Sequence, residues 1–133
     1  MEVFVYFAMI FLSIVDDFYL QGILASMKQE DWWKKNYPQK LYKDDYIIAL
    51  GIHSFSWSFM MQLPVAILYL IIGASENRWD IFFYVLGGNT LIHAMVDNLK
   101  ANEKVINLKT DQLIHYIQTT VSAIILLLWV LKR

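Results

Sequence analysis

Four long apolar blocks, separated by short polar connections, constrain the fold of this chain more than any other feature of its sequence. The blocks cover residues 3–27, 46–75, 81–99 and 116–131, and the second and fourth contain no Asp, Glu, Lys or Arg. As a helix, each block can span the roughly 30 Å hydrocarbon core of a bilayer. The pattern predicts an all-α fold, a four-helix transmembrane bundle that forms a single domain over residues 1–133.

The alternative is a soluble helical bundle, whose helices would carry a polar outer face at a period of about 3.6 residues. The stretches 67–72 and 124–128 are apolar all round and have no such face. The first block is preceded by Met1 and Glu2, lacks a basic stretch and contains Asp16 and Asp17. It is therefore expected to be a retained span and not a cleaved signal peptide.

Charge balance and cysteine content limit the function classes. Eleven Lys and Arg stand against twelve Asp and Glu, a formal net charge of -1, so the chain lacks the basic field of a nucleic-acid-binding protein. There is no Cys, which excludes disulfides and thiolate chemistry. Any metal must be bound by His and carboxylate side chains.

Lysines are concentrated on one side of the predicted bundle. With four spans, the connections 28–45 and 98–110 share a side and carry eight positive side chains: Lys28, Lys34, Lys35, Lys40, Lys43, Lys100, Lys104 and Lys109. The opposite side carries Arg78, Lys132 and Arg133. Because positive residues favour the cytoplasmic side, both termini are expected on the non-cytoplasmic side.

A set of aromatic residues on the second and third blocks is expected on the outer surface of the bundle, where it faces lipid or a second copy of the chain. Lipid is favoured because Trp is common at membrane interfaces. The set comprises Trp57, Trp79, Phe82 and Phe83.

Ionisable residues are costly within lipid-spanning helices and so indicate function. Here they form helical stripes with a spacing of three or four residues. Asp17 lies on one stripe with Ser13 and Gln21, and Asp16 is rotated to the side of that stripe. His53 lies in the second block, near the membrane face at which the first block ends. Two further stripes lie on the third and fourth predicted helices, which extend slightly beyond the apolar blocks: Asn89, His93, Asp97, Lys100 and Asp111, His115, Gln118, Ser122. The order of the connections places all three histidines and their neighbouring carboxylates at similar depth, toward the cytoplasmic face.

Imidazole with carboxylate is a common ligand set for Zn, Mn or Fe. The predicted metal ligands are Asp17, His53, His93, Asp97 and His115, and Zn is favoured. Asp111 would orient His115 or act as a general base, and Lys100 would face an anionic substrate group. Gln21 and Gln112 are expected to be hydrogen-bond donors to these groups. The competing interpretation is a purely structural polar network between the helices.

The motifs resemble a family of small bacterial and phage membrane proteins that carry a domain of unknown function. Its members show GDFxLQ in the first helix, a His in the second, HxxxDxxK in the third and DQxxH in the fourth. This chain has corresponding residues at 17–21, at His53, at 93–100 and at 111–115. It departs from the family in having Asp16 where Gly is usual, which leaves either Asp16 or Asp17 as the first-helix ligand. The family is distantly similar to proposed membrane-bound metal-dependent hydrolases, which implies a metal and hydrolysis.

The expected function is a metal-dependent hydrolase of the bacterial inner membrane, acting on a lipid-linked or amphiphilic substrate at the level of the cytoplasmic headgroups. A non-enzymatic membrane protein, whose polar cluster fixes helix packing or handles ions or protons, is the alternative from another class. A phage or host-defence factor acting through membrane contacts is the third.

Overall fold

The computed structural model describes residues 1–131, with side chains described as far as Leu128. Within that part the chain is helical and contains no strand. Its six α-helices are α1 Glu2–Val15, α2 Leu24–Met27, α3 Glu30–Asn36, α4 Asp45–Ile72, α5 Glu76–Ala101 and α6 Leu108–Leu131. Lys132 and Arg133, which entered the predicted orientation, lie outside the described residues.

The four long helices pack around a common interior. Helix α1 contacts α4 and α6, and α5 contacts the same two helices from the other side. One end of this interior is apolar and includes Met9, Met61, Tyr69, Phe82 and Leu126. The predicted polar residues lie toward the other end, so that hydrophobic packing positions the helices that carry them.

Three segments are long and apolar enough to cross a membrane: Glu2–Leu20, Lys40–Ile72 and Leu108–Leu128. For three of the four blocks, the predicted long apolar helix is thus confirmed. Helix α5 is not among them, because polar residues such as Asn89, His93 and Asp97 lower its mean hydropathy.

The end of α1 widens into a π-helical turn over Asp16–Leu20. Consecutive side chains in an α-helix diverge by about 100°, yet both Asp16 and Asp17 are buried. Single π-helical turns inside α-helices occur often at functional sites. Gly22 then reverses the chain with a φ of 52°, a left-handed conformation that glycine adopts without steric cost. The short helix α2 therefore leaves the line of α1 and packs against α4.

The prediction of a lipid-facing position is wrong for two of the four aromatic residues. Trp57 is 1% exposed and Phe82 is 2% exposed, and both belong to the hydrophobic core. Trp57 follows His53 by four residues, so the two side chains share one face of α4. Phe83, by contrast, is exposed as expected.

Gly73 ends α4 with a φ of 63°, and the Ala74 amide donates to the Tyr69 carbonyl across this turn. A Cβ at Gly73 would meet no atom within 4 Å, so the cost of Gly73→Ala comes from backbone conformation alone. We expect a loss of about 1 kcal/mol in the free energy of unfolding, measured by denaturation in detergent. Gly87→Ala is the matched control: Gly87 lies within α5 and is equally open to a Cβ, so alanine should leave stability unchanged or increase it. Equal effects of the two substitutions would contradict this explanation.

Candidate metal centre

The polar end of the helical interior brings together the ionisable residues that the sequence predicts at similar depth. They come from the π-helical turn and from α4, α5 and α6, and all are buried: Asp17, His53, His93, Asp97, Asp111 and His115. The predicted clustering is confirmed.

Asp97 lies at the centre of the cluster and is fully buried. Its Oδ2 atom lies 3.2 Å from His53 Nε2 and 3.8 Å from His93 Nε2. Its Oδ1 atom lies 3.3 Å from His115 Nε2. One carboxylate therefore contacts the Nε2 atoms of all three histidines.

The two histidines of α4 and α5 also face each other directly, with His53 Nε2 and His93 Nε2 only 3.1 Å apart. Two neutral imidazoles can form this contact only when one nitrogen donates and the other accepts. If both nitrogens carry lone pairs, a cation between them is needed. The distance suits that arrangement, because two ligands about 2.1 Å from one tetrahedral ion lie about 3.4 Å apart.

Aromatic stacking fixes the orientation of two of these rings. Trp57 stacks on His93 with a centroid distance of 4.2 Å, and His93 stacks on His115 at 4.0 Å. The Nδ1 atoms of His93 and His115 have no hydrogen-bond partner in the described part of the chain. Metal-ligating histidines usually donate that N–H to an acceptor, which orients the ring. Here the stack with Trp57 orients both rings instead.

Of the two adjacent aspartates, Asp17 faces the histidines, whereas Asp16 is hydrogen-bonded to Ser56. Asp17 Oδ1 lies 3.6 Å from His53 Nε2 and accepts a hydrogen bond of 2.7 Å from Gln21. Gln112 donates to Asp17 Oδ2 at 2.6 Å. Asp16 accepts a hydrogen bond from Ser56 at 2.7 Å through Oδ1, and its Oδ2 atom has no partner within the described residues. The predicted donor roles of Gln21 and Gln112 agree with these contacts.

Asp111 connects the cluster to Lys100. His115 Nε2 lies 3.4 Å from Asp111 Oδ1, and Lys100 Nζ lies 2.6 Å from Asp111 Oδ2. Lys100 Nζ also lies 3.9 Å from Asp97 Oδ1. Lys100 therefore pairs with the carboxylates of the cluster.

Lys28 is the member of the cluster that sequence reasoning missed. It was assigned to a surface connection, but it is 5% exposed and its Nζ lies 2.5 Å from Asp97 Oδ2. Asn102, at the end of α5, accepts a hydrogen bond from the Glu30 amide and donates one to the Lys28 carbonyl. These contacts hold the segment after α2 against α5. In the sequence before Lys28, only Gly22 indicates the change of chain direction that buries this lysine.

Three overlapping groups of ligand atoms, each within 4.8 Å of one another, can hold a metal ion: Asp17 with His53 and His93, His93 with Asp97 and His115, and Asp17 with Asp111 and His115. Four buried carboxylates, those of Asp16, Asp17, Asp97 and Asp111, lie in this part of the interior together with the ammonium groups of Lys28 and Lys100. A divalent cation would lower the electrostatic cost of burying the carboxylates that these two lysines leave unpaired.

Fold and site together define a helical protein with candidate membrane helices and a buried His/Asp group that can bind a metal ion. Comparison of the chain with protein-family models, curated proteins and solved structures finds no match. The resemblance of its motifs to the family of small membrane proteins therefore stays a prediction.

Proposed function

We propose that this chain is an integral membrane protein with four spans, namely the three candidate membrane segments and helix α5. Helix α5 has 26 residues, a length of about 39 Å. Its polar residues Asn89, His93 and Asp97 are buried against the other helices, whereas Leu91 and Met95 on its outer face are exposed. The mean hydropathy of α5 is low because it combines a polar inner face with an apolar outer face, and only the outer face would contact lipid. The lysine distribution supports both termini on the non-cytoplasmic side.

We further propose that the cluster binds one divalent transition metal ion, with zinc the favoured ion. Asp17, His53, His93, Asp97 and His115 would be the ligands. The observation that carries this proposal is the convergence of three imidazole Nε2 atoms on the Asp97 carboxylate, at separations of 3.2 to 3.8 Å. Such separations match neighbouring ligands of a single ion.

The chemistry proposed for this centre is hydrolysis of an amphiphilic or lipid-linked substrate at the cytoplasmic headgroup level. A divalent metal would polarise the scissile group and activate water at neutral pH. Asp111, which contacts His115 and Lys100, would accept a proton from the attacking water or hold the His115 ring in place. Lys100 would stabilise negative charge that develops on the substrate.

The experiment is a hydrolysis assay with detergent-solubilised carboxylic and phosphoric ester lipids, using protein loaded with zinc. Hydrolysis of at least one class is expected, it should stop on chelation, and it should return when zinc is restored. Turnover that is insensitive to chelation, or absent for every ester, would contradict the proposed reaction.

A structural polar network is the second candidate, and one observation favours it. Lys28 pairs with Asp97 and Lys100 pairs with Asp111, so two of the four carboxylates are neutralised by protein groups alone. In this case the cluster would fix the register of the four helices without a metal. Substitution of Lys28 separates the two candidates, because only a bound metal would compensate for the loss of its ammonium group.

A further inference from the structure

A cavity of about 430 Å³ lies beside the His/Asp cluster. It opens to the surface and is lined by the π-helical turn, α2, the end of α5, the connection that follows α5 and the start of α6. Asp17 belongs both to the wall of this cavity and to the cluster, so that the two adjoin. The volume falls within the range of about 300–1,000 Å³ that is usual for small-ligand sites.

Three lysines line this cavity: Lys28, Lys100 and Lys104. Asp17 is the one carboxylate among the residues that line it, so the lining has an excess of positive charge. Lysine ammonium groups bind phosphate oxygens as point charges. The walls therefore have the chemistry of an anion site, although the lysines are now paired with nearby carboxylates.

Metal binding would change those pairings. Lys28 contacts Asp97 and Lys100 contacts Asp111, the same carboxylates that lie in the proposed metal centre. A divalent cation there would take over the neutralisation of these carboxylates. The two ammonium groups would then be available to an anion in the cavity, an argument that rests on the proposed metal-dependent function.

Lys104 adds a third positive group from the connection between α5 and α6. Its Nζ lies 2.9 Å from Asp31 Oδ2, and this hydrogen bond holds the pKa of the Asp31 carboxyl below its ordinary value. Lys104 has a φ of 57°, a left-handed conformation that glycine or asparagine adopts more easily. Substitution by asparagine thus removes the charge without straining the backbone.

The rim of the cavity is apolar. Phe18 and Leu108 line the cavity and are both more than half exposed. Phe18 lies in the candidate membrane segment Glu2–Leu20, and Leu108 begins the segment Leu108–Leu128. A ligand whose anionic group contacts the lysines could therefore extend an apolar portion past this rim toward the bilayer.

We propose that this cavity binds a phosphate group, and that Lys28, Lys100 and Lys104 recognise it. The phosphate belongs to the headgroup of an amphiphile or is a free phosphate ion, and both share the same recognition chemistry. If the phosphate belongs to the headgroup of an amphiphile, the ester bonds of that headgroup lie next to Asp17 and therefore next to the proposed metal centre. The cavity then determines the substrate class of the hydrolase.

The test is calorimetric titration of zinc-loaded protein in zwitterionic detergent with three probes: inorganic phosphate, a short-chain phosphatidic acid and the matching diacylglycerol. Phosphatidic acid, inorganic phosphate or both should bind, and diacylglycerol should not. Binding of phosphatidic acid alone assigns the site to a lipid headgroup, and binding of inorganic phosphate alone assigns it to the free ion. Absence of binding by both phosphate probes would overturn the proposal.

Lys104→Asn should weaken phosphate binding about tenfold, the effect of losing one charge-assisted contact, while thermal stability stays the same or rises. Lys109→Asn is the matched control, because Lys109 is an exposed lysine nearby in sequence that does not line the cavity. Equal effects of the two substitutions would overturn the proposal.

Zinc content is measured in the same samples. Bound zinc without phosphate binding refutes the cavity alone, whereas absence of zinc refutes the metal centre.

Discussion

Replacement of Asp97 by Asn is expected to remove stoichiometric zinc from the purified protein and to abolish zinc-dependent hydrolysis. The carboxylate contacts the Nε2 atoms of His53, His93 and His115, so its charge lies at the centre of the proposed ligand set. Loss of partners that merely orient ligands lowers metal affinity about 10- to 100-fold. Loss of a central ligand should cost at least about a hundredfold in zinc affinity, measured by competition with a chromophoric chelator.

Asp16→Asn provides the control for that experiment. Asp16 is also a buried carboxylate, but it is bonded to Ser56 and lies outside the groups of atoms that can hold a metal. Its amide variant should retain zinc. Retention of zinc by the Asp97 variant, or equal loss from both variants, would contradict the ligand assignment.

The second large effect is expected from Lys28→Met, and its dependence on zinc separates the two candidate functions. Without metal, the substitution leaves the Asp97 carboxylate buried without its ammonium partner. Removing one partner of a buried ion pair costs about 3 kcal/mol or more. With zinc bound, the cation neutralises Asp97 and most of that loss should be recovered. Thermal unfolding in detergent, with and without zinc, measures both states.

Lys34→Met is the matched control, since Lys34 pairs with Glu30 on the exposed face of α3 and should have no measurable effect. A structural network predicts a different result for Lys28→Met: the loss of stability would be the same with and without zinc. That outcome would favour the second candidate function over the metal centre.

Helical periodicity explains how much of the site could be predicted from the sequence. His93 and Asp97 are four residues apart, as are Asp111 and His115, and the order of the connections places both pairs at the same end of the interior. Their contacts in the folded chain follow from that register. The apolar blocks likewise predicted where the long helices occur, although the first block is divided by the π-helical turn and Gly22.

The residues that were missed or misplaced depend on tertiary contacts. Lys28 is buried because the chain reverses after the π-helical turn and Asn102 then holds the segment against α5. Nothing in the local charge pattern distinguishes it from the exposed lysines that follow. Trp57 was placed on the lipid side by its residue type, whereas its spacing of four from His53 puts it on the same inward face. For that residue the periodicity was the better guide.

X-ray absorption spectroscopy at the zinc edge, on protein loaded with one equivalent of zinc, identifies the ligands of the proposed metal centre. A mixed nitrogen and oxygen ligand shell is expected at about 2.0–2.2 Å, with the multiple scattering of more than one imidazole. A shell of oxygen atoms alone, without imidazole scattering, would show that His53, His93 and His115 do not bind the ion.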